Sequence, residues 1–163
     1  VWKLEIASMN RSFWMALALA GAAFGPAACG DQTSTPVADP EAPAGVTVTD
    51  GRLMLPAVSG NPGAVYFDLA NGTDGELIVR SASVAGAGHA MMHTTNETRM
   101  EEVLQVAVGP GETLRFEPGA HHLMVSDLPA TMVPGGQAEV TLTFAGGDKV
   151  SFPADVRSAG DGR

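Results

Sequence analysis

Residues 138–156 read Ala138-Glu139-Val140-Thr141-Leu142-Thr143-Phe144-Ala145, then the pair Gly146-Gly147, then an extended run from Lys149 to Val156. Apolar and polar side chains alternate through Val140-Thr141-Leu142-Thr143-Phe144, the period of a strand with one face on a core and the other in water. The Gly-Gly pair is a turn former, so the unit predicts a β-hairpin. The same grammar continues upstream. Strands are expected at Val46–Thr49, Arg52–Leu55, Ala64–Ala70, Glu76–Val84, Ala90–Thr95, Thr98–Val108, Glu112–Glu117 and His121–Ser126. Between them stand the turn formers Asp50-Gly51, Gly60-Asn61-Pro62-Gly63, Asn71-Gly72, Gly109-Pro110-Gly111, Pro118-Gly119 and Pro134-Gly135-Gly136. No window of eleven residues has helical periodicity. Nine or ten short strands in about 110 residues predict an all-β domain, a two-sheet sandwich or Greek-key barrel able to bury a core without disulfides.

Composition narrows the function. The 163-residue chain has 9 basic and 18 acidic residues, a net charge of −9 and a pI near 4.7, so phosphate backbones and anionic lipid surfaces would repel it. Nucleic acid is therefore not expected as a partner. A single Cys excludes a disulfide framework and a thiolate cluster.

The first 29 residues read as a leader. If translation starts at Met9, Asn10 and Arg11 form a short basic region, 13–24 an apolar run, and Gly25-Pro26-Ala27-Ala28 a small-residue cleavage site followed by Cys29. The apolar run is shorter than the about 20 residues that span a bilayer. The arrangement resembles a bacterial lipoprotein signal in which Cys29 becomes the lipidated N-terminus, although Pro26 stands where an aliphatic residue is usual. Residues 30–44, rich in Pro and poor in large apolar side chains, read as a tether. The folded domain is then expected at 45–157 and a frayed tail at 158–163. The expected location is periplasmic, with membrane contact only through the lipid.

All four His and four of the six Met that follow the leader fall between His89 and Met124. His89, Met91 and His93 alternate along one expected strand and so share a face, as do His122 and Met124 on another, with His121 pointing away. Thioether sulfur is a soft donor and imidazole a borderline one, a combination that selects Cu(I) over hard cations. Met also fills irregular cores, and Met54, Met92 and Met132 are read that way. A turn centred on Asn96-Glu97 would set His93 opposite Met100, Met91 opposite Glu102 and His89 opposite Leu104. Placing His89 opposite Met100 instead would centre the turn on Thr94-Thr95, two β-branched residues poor at positive φ. Leu104, Val106 and Val108 are expected to carry the face of Met100 into the core, leaving the site at the tip end of the sandwich.

Several runs carry a family resemblance: Arg52-Leu53-Met54-Leu55-Pro56-Ala57-Val58, Gly60-Asn61-Pro62-Gly63-Ala64-Val65-Tyr66-Phe67, Ala90-Met91-Met92-His93-Thr94-Thr95, Met100, and Pro118-Gly119-Ala120-His121-His122-Leu123-Met124. Over residues 46–156 the chain resembles the periplasmic copper chaperones of the PCuAC type. Their pattern is His or Met, ten residues, Met, twenty-one residues, then His-x-Met. Met100, His122 and Met124 match it in identity and spacing. The resemblance implies a cupredoxin-like or immunoglobulin-like sandwich that holds one Cu(I) and donates it to a copper-accepting protein, such as a copper-centre domain of cytochrome oxidase. His89 has the family spacing to Met100, whereas the residues around His93 resemble the segment that ends in the liganding His. Choosing His93 requires a hairpin four residues shorter, with two removed from each arm, and is preferred. The His- and Met-rich C-terminal tail of some members is absent, which argues against a second, Cu(II) site.

The expected protein is thus a monomeric Cu(I) carrier and not an enzyme. Copper buffering for resistance would use the same site, and a non-metal β-sandwich interaction module is the reading in which the Met and His only pack. A blue-copper domain would need a Cys ligand, and Cys29 lies in the leader. A hydrolase lacks its Gly-x-Ser-x-Gly elbow.

Overall fold

In a computed structural model, residues 42–96 and 99–161 are described. The expected leader, Cys29 and most of the tether lie outside them. Ten strands and no helix occur among the described residues: β1 (Val46–Met54), β2 (Gly63–Asn71), β3 (Leu77–Val84), β4 (His89–Asn96), β5 (Arg99–Glu102), β6 (Val106–Val108), β7 (Thr113–Phe116), β8 (His121–Ser126), β9 (Gln137–Phe144) and β10 (Lys149–Arg157). The hairpin of β9 and β10 forms as its alternation predicts. Ala138, Val140, Leu142 and Phe144 are buried on one strand, and Val150, Phe152, Ala154 and Val156 on the other.

Hydrogen bonds link all ten strands in the order β5-β4-β8-β7-β2-β1-β10-β9-β3-β6. The parallel pairing of β1 with β10 joins two halves that are antiparallel apart from the single parallel bridge of β7 with β8. β3 and β4, far apart in that order, are nevertheless in contact, so the sheet curls over its own apolar face into the expected sandwich. On β2, Val65, Phe67 and Leu69 are fully buried, while Ala64, Tyr66 and Asp68 occupy the other face. Phe67 stacks on Phe116 of β7 at 4.2 Å between ring centroids and meets Phe152 of β10 at 5.0 Å, tying both halves to one aromatic centre.

Two expectations about punctuation are corrected. Asp50-Gly51 does not end a strand. Thr49 pairs with Asp68 and Arg52 with Tyr66, so Asp50 and Gly51 together oppose Phe67 in a bulge. Asp50 has φ 55°, and a Cβ on Gly51 would stand 2.5 Å from the Pro153 carbonyl oxygen, so this close approach needs glycine. The expected strand Thr98–Val108 is broken after Glu102. β5 pairs with β4, whereas β6 crosses to β3 in the other half of the sheet. Leu104, in the gap, is 79% exposed and is not core.

At the tail, Ser158–Asp161 closes a turn: the Asp161 amide donates to the Ser158 carbonyl, and the Ser158 amide to the Asp161 carboxylate. Asn71, expected only as a turn residue, is a buried fastener. Its amide nitrogen donates to the carbonyls of Gly75, Val108 and Gly109, and its oxygen accepts from the Thr73 amide and hydroxyl. Asn71→Ala would leave several of these groups unpaired in a closed space. The expected loss is about 3 kcal/mol of unfolding free energy, read from the midpoint of urea denaturation at unchanged m value.

Candidate metal centre

β8 sets the position of β4. The two strands pair antiparallel from His89↔Ser126 to Thr94↔His121, with Met91 directly opposite Met124 and His93 directly opposite His122. Ala90, Met92, Leu123 and Val125 turn toward the core, with Met92, Leu123 and Val125 buried. Alternation therefore sends His89, Met91, His93, His122 and Met124 to the outer face.

The hairpin of β4 and β5 has a different register from the expected one. His93 faces Glu102, Thr95 faces Met100, and Asn96 faces Arg99. Neither His93 nor His89 is directly opposite Met100. The reason lies on the core side: the Val103 amide donates to the Met92 carbonyl, and Val103 packs against the core beside buried Met92. The expected register would have put Glu101 there. A shift by two residues keeps every side chain on its face, so Met100 remains on the His93 face, diagonal to it and 55% exposed. The His and Met consequently sit on a sheet face near one edge, not at a hairpin tip.

The two imidazoles at the centre differ in their partners. His122, 4% exposed, has Nδ1 3.0 Å from the Ala120 carbonyl oxygen. A carbonyl only accepts, so Nδ1 carries the proton and Nε2 of the neutral ring keeps its lone pair. Such a bond from the far ring nitrogen is the usual support of a metal-bound His. The His93 ring lies 5.9 Å from that of His122, and both its nitrogens are buried without a hydrogen-bond partner. Buried polar atoms left unpaired are unfavourable and call for a missing partner. Among the described residues no group of three His, Cys, Asp or Glu could hold a metal ion. The further soft side chains on this face are the thioethers of Met91, Met100 and Met124.

The profile of the family described as "Putative lipoprotein LpqE-like" matches residues 46–156. The chain belongs to this LpqE-like family. A search of the curated proteins gives no match. Among solved structures, the LpqE-like chain is similar to the copper-bound PCuAC domain from PmoF2, with a TM-score of 0.62 and 18% identity over 71% of this chain and 94% of that one. The apo PCuAC domain from PmoF1 gives 0.63 and 21%, covering 71% and 95%. The solution structure of CuI-DR1885 from Deinococcus radiodurans gives 0.57 and 24%, covering 71% and 82%. These likenesses bear out the β-sandwich and the PCuAC resemblance as a fold.

Around the LpqE-like centre, Tyr66 is a neighbour that sequence reasoning missed. Its ring is 6.3 Å from that of His122, and the Arg52 guanidinium lies 5.4 Å from the Tyr66 centroid. Burial raises the Tyr66 hydroxyl above its ordinary pKa, partly offset by Arg52, so the phenol stays protonated. No sequence signal marks Tyr66, because its proximity comes from β2 pairing with β8 across fifty residues of chain. Beyond Tyr66, a cleft of about 350 Å³ is lined by Met54, Pro56, Ala64 and Pro118.

His121 points away from the other donors, as expected. It pairs with Thr94 and Phe116 and packs its ring 5.8 Å from that of Phe116. Burial, with a smaller contribution from His122, lowers its pKa. His89 is exposed and opposite Ser126, four register pairs beyond His93–His122 and two rows along on the same face.

The unpaired nitrogens of His93 make a stability prediction. His93→Leu removes two buried polar atoms and keeps an apolar volume. The metal-free variant should match the parent or gain about 1 kcal/mol, measured by urea denaturation in the presence of a copper chelator.

Proposed function

We propose that this domain is an exported Cu(I) carrier with no catalysis of its own, holding one ion between His93 and His122, with Met124 and Met100 offering thioether sulfur from either side. The carrying observation is the His93 ring. Its two buried nitrogens lack partners, and it faces a His122 whose tautomer is set by Ala120, with thioethers on the same open face. The copper-bound state of the PmoF2 domain and the CuI form of DR1885, which share this fold, support the choice of metal. The His122 ring and the His93 nitrogens are buried while Met91 and Met100 are exposed beside them, an arrangement that holds an ion from below and leaves a side open for passing it on. The proposed recipient is a copper-accepting protein such as an oxidase copper-centre domain. Faster transfer of Cu(I) to an apo domain of that kind than to an unrelated acceptor would separate delivery from simple buffering.

The leader ending at Cys29 and the 30–44 tether, together with the lipoprotein description of the family, support a lipid-anchored protein facing the periplasm. The folded part, 45–157, would work as a monomer at the end of that tether, followed by the 158–163 tail.

His93 is preferred over His89 because it is directly opposite His122, whereas His89 stands opposite Ser126. Purified wild type should take up one equivalent of Cu(I) and bind Zn(II) far more weakly, since thioethers contribute little to zinc. His93→Ala should weaken Cu(I) binding at least tenfold, about 1.4 kcal/mol, and His89→Ala by less. Competition with a Cu(I) chelator measures both, and a larger loss for His89→Ala would reverse the assignment. Cys29→Ser in the full chain should move the protein from the membrane fraction to the soluble fraction of cells. A wild type already soluble would show that no lipid is attached.

A further inference from the structure

The outer face of β4 holds a thioether closer to the paired imidazoles than Met100. Met91 is directly opposite Met124, one row along from the directly opposed His93 and His122. Opposed side chains have Cβ atoms about 5 Å apart, and rows on one face follow at about 7 Å. Two imidazoles and two thioethers therefore rise from one small rectangle on a single pair of strands. Met100 stands on edge strand β5 opposite Thr95, on the side of His93 away from Met124. Strand spacing and rise put Met100 and Met124 roughly 16 Å apart between Cα atoms. An ion already bonded to His93, His122 and Met124 thus has Met91 nearer to hand than Met100.

Met91 borders a shallow cleft with Ala82 and Val84 of β3, so packing accounts for the residue only in part. Met91 is 41% exposed, while its neighbour Met92, at 4%, fills the core. A half-exposed Met that shares its sheet face with a directly opposed second Met and the neighbouring pair of imidazoles adds a soft donor of the kind that Cu(I) prefers.

We propose that Met91 is a thioether ligand of the Cu(I) ion held by His93, His122 and Met124, completing a set of two nitrogens and two sulfurs. This rests on the Cu(I) reading of the site. Met100, diagonal to His93, then meets the same ion from the edge strand, as a donor that can exchange with Met91 during loading or release.

The test uses the domain labelled with ¹³C at the Met methyl groups and titrated with Cu(I) under reducing conditions. The Met91 methyl resonance should shift together with that of Met124 and stop at one equivalent, while Met54 and Met132 serve as internal references. Met91→Leu keeps volume and apolarity at an exposed position, so the fold is preserved. It should weaken Cu(I) binding at least tenfold in chelator competition. An unmoved Met91 methyl and unchanged affinity in Met91→Leu, with His93→Ala still weakening binding, would overturn the proposal and leave the copper reading intact. No Cu(I) uptake by wild type would overturn both.

Discussion

Pairing of β4 with β8 over six consecutive positions governs every donor in the site except Met100, which β5 carries. That register is itself held from below. Met92, Leu123 and Val125 are buried on the core face of these strands, so a slip by one residue would exchange them for His93, His122 and Met124. The apolar residues of β4 and β8 thereby decide where the imidazoles and thioethers of the opposite face stand. β2 extends the arrangement: Ala64 lies opposite Met124, and Tyr66 follows beside His122 on the same face.

The site carries a structural cost that the rest of the domain absorbs. Two buried ring nitrogens without partners on His93 are unfavourable in the metal-free protein, and a thioether exposed at Met91 gains little from burial. The opposing contributions come from elsewhere in the sheet. Phe67, Phe116 and Phe152 join the two halves around one aromatic centre, and Asn71 satisfies carbonyls from three loop and strand ends while using its own oxygen twice. The division between a core that stabilises and a face left partly unsatisfied suits the proposed ion carrier, because an ion would supply the missing bonds only while it is bound.

Much of the fold was legible locally. β8 has the bounds read from alternation, His121–Ser126, and β2, β3, β4, β7, β9 and β10 differ from their expected ends by at most one residue at either end. The misreadings occur where local chemistry allows two outcomes. Asp50-Gly51 suits a turn and a bulge equally, and only the approach of the Pro153 backbone selects the bulge. The apolar pattern running through Leu104, Val106 and Val108 reads as one strand, yet β6 leaves β4 to pair with β3, and Leu104 is left in solvent.

Sequence by itself determined the all-β class, the core alternation and the window from His89 to Met124 in which soft donors gather, because strand period and donor chemistry are local properties of residue types. Its preference for His93 as first donor rested on a turn register that the structure shifts by two residues. Which donors meet was decided by tertiary structure. His93 opposite His122, Met91 opposite Met124, Met100 set aside opposite Thr95, and Tyr66 against His122 all follow from registers between strands up to some fifty residues apart. The register of β4 with β5 is set by Val103 and Met92, and that of β4 with β8 by Met92, Leu123 and Val125, all on the far side of the sheet, and a two-residue shift preserves the face of every side chain while changing each of its partners.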